Sequence, residues 1–192
     1  MDTTTLLVLG SALVMAIILY ASYASVIRAK NKVKEAFSSI NVQLKKRYDL
    51  MPNILTLAAK FMEHEKSLLE DLTKLRTEVL SLPNNYENIE RKLDLDNQIK
   101  AKMQQFMVSV ENYPELKSDS TMITAMQTYN EVEEHIAAAR RFFNSAVNDL
   151  NNLVETFPSS MFAQRMGIKT QEFFEINPAE TKPINASDFF NK

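Results

Sequence analysis

The chain opens with an uncharged apolar run from Leu6 to Ile27, bounded by Asp2 on one side and Arg28 on the other. As a helix rising about 1.5 Å per residue, the run reaches roughly 33 Å, enough to cross a hydrocarbon core of about 30 Å. Beyond it the pattern becomes a heptad. From Val33, apolar residues recur in alternating steps at Phe37, Ile40, Leu44, Met51, Ile54, Ala58, Phe61, Leu68, Leu72, Leu75 and Val79, with Arg47 and Glu65 as the polar exceptions. A second stretch gathers Ile89, Leu93, Leu95, Ile99, Met103, Phe106 and Val110 on one face. A third runs through Met122, Met126, Tyr129, Ile136, Phe143, Val147, Leu150, Val154 and Phe157, with Glu133 and Arg140 inside the stripe. These patterns predict amphipathic helices packed at shallow angles.

The breaks between stripes carry turn chemistry. Ser81-Leu82-Pro83-Asn84-Asn85 reads as a turn, and Asn112-Tyr113-Pro114 ends the second stripe. Ser118, Asp119 or Ser120 can cap the third helix, and Pro158 stops it. Ser159 to Met166 reads as a short helix ended by Gly167. Phe173, Phe174, Ile176, Phe189 and Phe190 then alternate with polar residues, as in an extended tail that lays aromatics on the bundle. Pro52 sits inside the first stripe and is ambiguous. The unbroken heptad phase suggests a kink, whereas matching helix lengths suggests a chain reversal, with Asp49 capping a new helix.

The resulting expectation is an all-α chain. A short extracytoplasmic N-terminus (1–5) precedes a single transmembrane helix (6–27). A cytoplasmic antiparallel four-helix up-and-down bundle (28–158) and an extended C-terminal tail packing on it (159–192) follow. Arg28, Lys30, Lys32 and Lys34 all lie after the apolar run, which predicts an N-out, C-in anchor and places these four side chains at lipid headgroups. The rival is a cleaved signal ending at Ser22-Tyr23-Ala24, but the Met1-Asp2 head lacks a basic region and the run is long for a signal. Ala12 with Ala16 and Ala21 with Ser25 place small residues four apart, a spacing that permits helix association in lipid and predicts a homo-oligomer.

Composition narrows the chemistry. The chain has 192 residues, a net charge of -2 and no cysteine, so disulfides, thiolate metal sites and cysteine nucleophiles are excluded. Its mixed charges predict no nucleic-acid partner. Two glycines disfavour β-rich folds and glycine-rich phosphate loops. His64-Glu65 begins a zinc-protease pattern, but Leu68 stands where its second histidine would be. Phe61 and Val132, three residues before His64 and His135, break the Glu-x-x-His register of di-iron bundles. Met103 with Met107 and Met122 with Met126 are a conceivable Cu(I) set, but methionine usually fills cores. No catalytic residue, cofactor or metal is predicted.

Two polar groups remain. In an up-and-down bundle His64, Glu65, Glu133, His135 and Arg140 converge in mid-bundle, where a charge-compensated network is favoured over a metal site. Arg47, Asp49, Pro52 and Asn53 would shape a corner offered to partners if the chain reverses at Pro52.

The stretch Asn41-Val42-Gln43-Leu44-Lys45-Lys46-Arg47-Tyr48-Asp49-Leu50-Met51-Pro52-Asn53-Ile54 resembles the most distinctive segment of the LemA family of bacterial membrane-anchored proteins. His64-Glu65, Arg141-Phe142-Phe143-Asn144, Phe157-Pro158, Gly167 and Phe173-Phe174-Glu175 resemble its later markers, although Phe142 and Phe143 stand where tyrosine is frequent. The resemblance implies an N-out single-pass protein of the bacterial cytoplasmic membrane, with a four-helix bundle in the cytoplasm, and so favours reversal at Pro52. It implies no established enzymatic activity, and an association with membrane quality control or organisation. The expected function is a non-enzymatic membrane scaffold or adaptor whose partners are the bilayer, its own copies and other membrane proteins. The alternative is a metal-dependent enzyme or metal-binding protein using the mid-bundle His/Glu cluster.

Overall fold

The computed structural model describes residues 2–83 and 88–174, with the backbone alone at Glu90. Part of the turn at Ser81 to Asn85 lies outside the described residues, as do Glu175, Ile176, Phe189 and Phe190. All regular structure among the described residues is helical: α1 (Thr3–Ala58), a 3-10 turn (Glu63–Glu65), α2 (Lys66–Ser81), α3 (Ile89–Val110), α4 (Pro114–Ser118), α5 (Ser120–Glu155) and α6 (Ser159–Arg165).

Helix α1 contains Pro52 and continues to Ala58. The chain therefore does not reverse at Pro52, and Asp49 caps no helix. The turn comes later, where Phe61 and Met62 both donate to the carbonyl of Ala58 and the 3-10 turn leads into α2. A proline inside a helix forfeits one main-chain hydrogen bond and clashes with the preceding turn. Here the forfeited bond is replaced by a side chain, described below.

Helix starts follow local chemistry. Asp119 supplies the cap of α5, its Oδ1 accepting from the N–H groups of Thr121 at 2.8 Å and Met122 at 3.0 Å. Pro114 stands at the start of α4, where its missing donor costs nothing. Helix α6 ends in a Schellman motif. Ile168 donates to the Ala163 carbonyl at 2.9 Å and Gly167 to that of Gln164 at 3.1 Å, with Gly167 at φ 67°.

The chain forms two compact units, Phe37–Ala139 and the described parts of Met1–Ala36 and Arg140–Lys192. Within Phe37–Ala139, the heptad residues Phe37, Ile40, Leu44, Met51, Ile54 and Ala58 are buried, with Leu68, Leu72 and Val79 of α2. Leu95, Ile99, Met103 and Phe106 of α3 are buried too, as are Met122, Tyr129, Val132 and Ile136 of α5. Lys102 to Asp71 at 2.9 Å and Arg91 to Glu78 at 2.6 Å tie α2 to α3 in antiparallel register. The Lys102 ammonium holds the Asp71 carboxyl below the usual carboxylate range.

In the other unit the core is Val26, Ala29, Val33 and Ala36 of α1, Phe143, Ala146, Val147 and Leu150 of α5, and Ala163 of α6. Residues 2–21 are exposed, and their most apolar window has a mean hydropathy of 2.2. That is one helix long and apolar enough to cross a membrane.

Two asparagines seven residues apart on α5 hold the segment after α6. Asn144 accepts from the Phe174 N–H at 2.9 Å and donates to its carbonyl at 3.0 Å. Asn151 does the same with Gln171, both bonds at 2.9 Å. The Phe174 ring then lies against Phe143, centroids 4.3 Å apart.

Candidate functional site

The polar centre of the Phe37–Ala139 unit is Arg47. It stands at a heptad position of α1 and is 1% exposed, so its charge must be met inside the protein. Nη1 donates to Asp96 Oδ1 of α3 at 2.6 Å, and the Tyr48 hydroxyl donates to the same oxygen at 3.1 Å. Nη2 pairs with Glu133 Oε2 of α5. The second oxygen of Glu133 takes Lys100 at 3.1 Å. The guanidinium carbon stands 5.6 Å from the centroid of the Tyr129 ring, within cation–π range. Two cations and two carboxylates thus balance across three helices.

Burial tunes the neighbours. It pushes the Tyr129 phenol up to about 12, with smaller opposing effects from Arg47, which lowers it, and Asp96, which raises it. The Tyr129 hydroxyl has no hydrogen-bond partner among the described residues. Lys92, one turn before Asp96, is also buried, and its amine is pulled below the usual lysine range.

Tyr48 contributes a second contact from its main chain. Its carbonyl accepts from Arg76 Nε of α2 at 2.7 Å. In a regular helix that carbonyl would take the N–H of residue 52, which proline lacks. Arg76 therefore fills the gap that Pro52 leaves. Together these bonds tie α1 to α2, α3 and α5 at one level of the unit, a geometry that fixes axial register and leaves no free ligand set.

The predicted mid-bundle network does not assemble. His64 and His135 are exposed, and Glu65 is half-exposed on the 3-10 turn. Glu133 is engaged by Arg47 and Lys100. The level-matching behind the prediction began the second helix at Pro52, whereas α2 begins at Lys66. Among the described residues, no group of three or more His, Asp or Glu side chains could hold a metal ion.

The predicted partner-facing corner is also corrected. Arg47 is buried, Asp49 is exposed and pairs with Lys45 at 2.7 Å, and Pro52 and Asn53 lie within a continuous helix. Of the basic collar, Arg28, Lys30 and Lys34 are exposed. Lys32 is committed to Asp149 at 2.8 Å and lies 5.9 Å from the Phe142 ring centroid. Met103 and Met122 are core residues at 1% and 2% exposure, while Met107, Met122 and Met126 line a groove of about 290 Å³ beside Val110 and Ile123. Sequence reasoning missed Asp96 and Arg76, whose only signal was a charge placed on or beside an apolar stripe.

The model of the LemA family matches residues 36–187. The chain belongs to the LemA family. Among curated relatives, it is 22% identical to Protein LemA of Metamycoplasma hominis over 165 residues, covering 85% of this chain and 74% of that one. It is 31% identical to Magnetosome protein MamQ 2 of Paramagnetospirillum magneticum over 86 residues, 45% of this chain and 32% of that protein. Magnetosome protein MamQ of Magnetospirillum gryphiswaldense is similar at 30% over the same length and shares. The match thus spans about a third of the magnetosome relatives. The segment that carried the LemA resemblance, Asn41 to Ile54, contains the residues that build the Arg47 and Tyr48 contacts.

Proposed function

We propose that this LemA-family protein is a non-enzymatic, membrane-anchored scaffold that presents an antiparallel helical bundle to protein partners at the cytoplasmic face. The observation that carries the proposal is the state of the charges around the buried Arg47. Arg47, Asp96, Glu133 and Lys100 neutralise one another in a network that spans three helices, which favours a register-fixing role over acid–base chemistry. The exposed apolar N-terminal part of α1 supports anchoring, and Arg28, Lys30 and Lys34 support a cytoplasmic bundle. The magnetosome relatives are named for an assembly rather than for a reaction, which favours an organising role.

The test is affinity capture of the full-length protein from membranes in mild detergent, with mass spectrometry of what accompanies it. The expected result is a reproducible set of membrane proteins together with a second copy of this chain. Recovery of the monomer alone overturns the scaffold reading. Topology is checked separately: protease added to intact cells should leave the bundle uncut.

A further inference from the structure

We propose that the elbow between α5 and α6 is a second membrane contact, a foot that seats Phe157 and Met161 at the boundary between headgroups and acyl chains beside the anchor. The inference rests on the reading of the N-terminal part of α1 as a membrane span.

The anchor sets the depth. Residues 2–21 are exposed, and protein cover on one face of the helix begins at Ser22 and reaches Val26, which is 0% exposed. At about 1.5 Å per residue the exposed part is roughly 30 Å long, the thickness of a hydrocarbon core. The covered end of the apolar run, Ser22 to Ile27, therefore falls at the interface, where aromatic residues of membrane proteins concentrate. Tyr23 is in that turn. The Phe162 ring of α6 meets it edge-on, centroids 6.0 Å apart. Helix α6 is thereby held at the level where the anchor leaves the bilayer.

The elbow is two-sided. Ser159 and Ala163 turn inward at 5% and 0% exposure, and Phe162 is half-buried on Tyr23. Phe157 and Met161 turn outward at 75% and 59% exposure. In water, two large apolar side chains held outward next to a membrane span would be a liability. At the interface their burial is favourable. Arg165, at the end of α6, and Lys169 just after it are exposed and add positive charge that suits anionic headgroups. The occupant is thus the bilayer the anchor already enters.

The chain has no tryptophan, so single substitutions give one clean fluorophore each. Leu13→Trp, Phe157→Trp and Phe142→Trp are made in the full-length protein and reconstituted in vesicles of mixed zwitterionic and anionic lipid. The lipids are brominated near either the headgroup end or the methyl end of the acyl chain. Leu13→Trp lies in the span, and Phe142→Trp, at a position 41% exposed on α5 and about 22 Å along the chain from Phe157 at a helical rise, reports non-specific quenching. The proposal expects deep bromines to quench Leu13→Trp, shallow bromines to quench Phe157→Trp, and neither to quench Phe142→Trp. Quenching of Leu13→Trp with none at Phe157→Trp overturns the foot and leaves the anchor standing. Equal quenching at Phe157→Trp and Phe142→Trp overturns the foot as well. No quenching at Leu13→Trp removes the anchor, and the foot with it.

Discussion

Arg76 Nε of α2 donates to the backbone carbonyl of Tyr48 at 2.7 Å. This is the carbonyl, four residues before Pro52, that a regular helix would have satisfied with the N–H of residue 52. A side chain from the neighbouring helix has taken the place of a main-chain donor, and α1 crosses its proline without ending.

That substitution of donors predicts a coupled pair. Arg76→Ala strands a part-buried carbonyl and should cost about 1–3 kcal/mol. Pro52→Ala restores the missing N–H, so in that background Arg76→Ala should cost much less. Thermal denaturation of the four proteins of this double-mutant cycle, in the same detergent, measures the coupling. Additive effects would show that the carbonyl is not what links the two residues.

The buried ion pairs predict an asymmetry between breaking and replacing. Asp96→Ala leaves the Arg47 guanidinium short of an anion and should cost about 3–5 kcal/mol. The double variant Arg47→Met, Asp96→Leu removes both charges, while Glu133 keeps Lys100, and should recover most of that loss. Denaturant unfolding of the solubilised protein compares the two. A double variant as unstable as Asp96→Ala would mean that the network contributes stability beyond charge compensation.

Tyr129 predicts an alkaline limit. Its folded pKa, about 12, is raised above the ordinary 10.0, so the folded state holds this proton more tightly than the unfolded chain. Its contribution to stability is complete below pH about 10 and is lost as pH rises toward 12, by roughly 2–3 kcal/mol. Tyr129→Phe should be nearly neutral at pH 7, because the hydroxyl has no hydrogen-bond partner among the described residues, and should flatten this alkaline loss. Melting curves of both proteins across pH 8 to 12 check it. Parallel declines would assign the loss to other groups.

The asparagines of α5 predict local effects. Asn144→Ala removes both bonds to Phe174 and Asn151→Ala both bonds to Gln171. Each should release its own contact at about 1–2 kcal/mol. Amide hydrogen exchange should then quicken at Phe174 in the first variant and at Gln171 in the second, with α2 and α3 unchanged. A global rise in exchange would show that these contacts support more than the tail.

Where packing followed period, the sequence was readable. The stripes from Val33 to Ala58 and from Met122 to Leu150 are the buried faces of α1 and α5, because a helix must turn its apolar face inward wherever it packs. Gly167 after α6 and the cap before α5 were legible for the same reason, that a local rule has one local answer. Pro52 was not, because its outcome depended on a donor twenty-four residues away in the chain. Glu133 was recognised as a charge within an apolar stripe, but Arg47 was not among the partners expected for it. Matching its level to Glu65 assumed where α2 starts, and Asp96 lay hidden beside Leu95, in a stripe read only for its apolar members. Side-chain pairs between helices are set by axial offset, which periodicity does not encode.

The amide groups of Asn144 and Asn151 grip the main chain of the tail, one N–H and one carbonyl each. Such a grip is indifferent to the side chain it passes. Selection for keeping the tail docked therefore falls on the two asparagines and on an aromatic at 174, while position 171 is free to drift to any residue except proline.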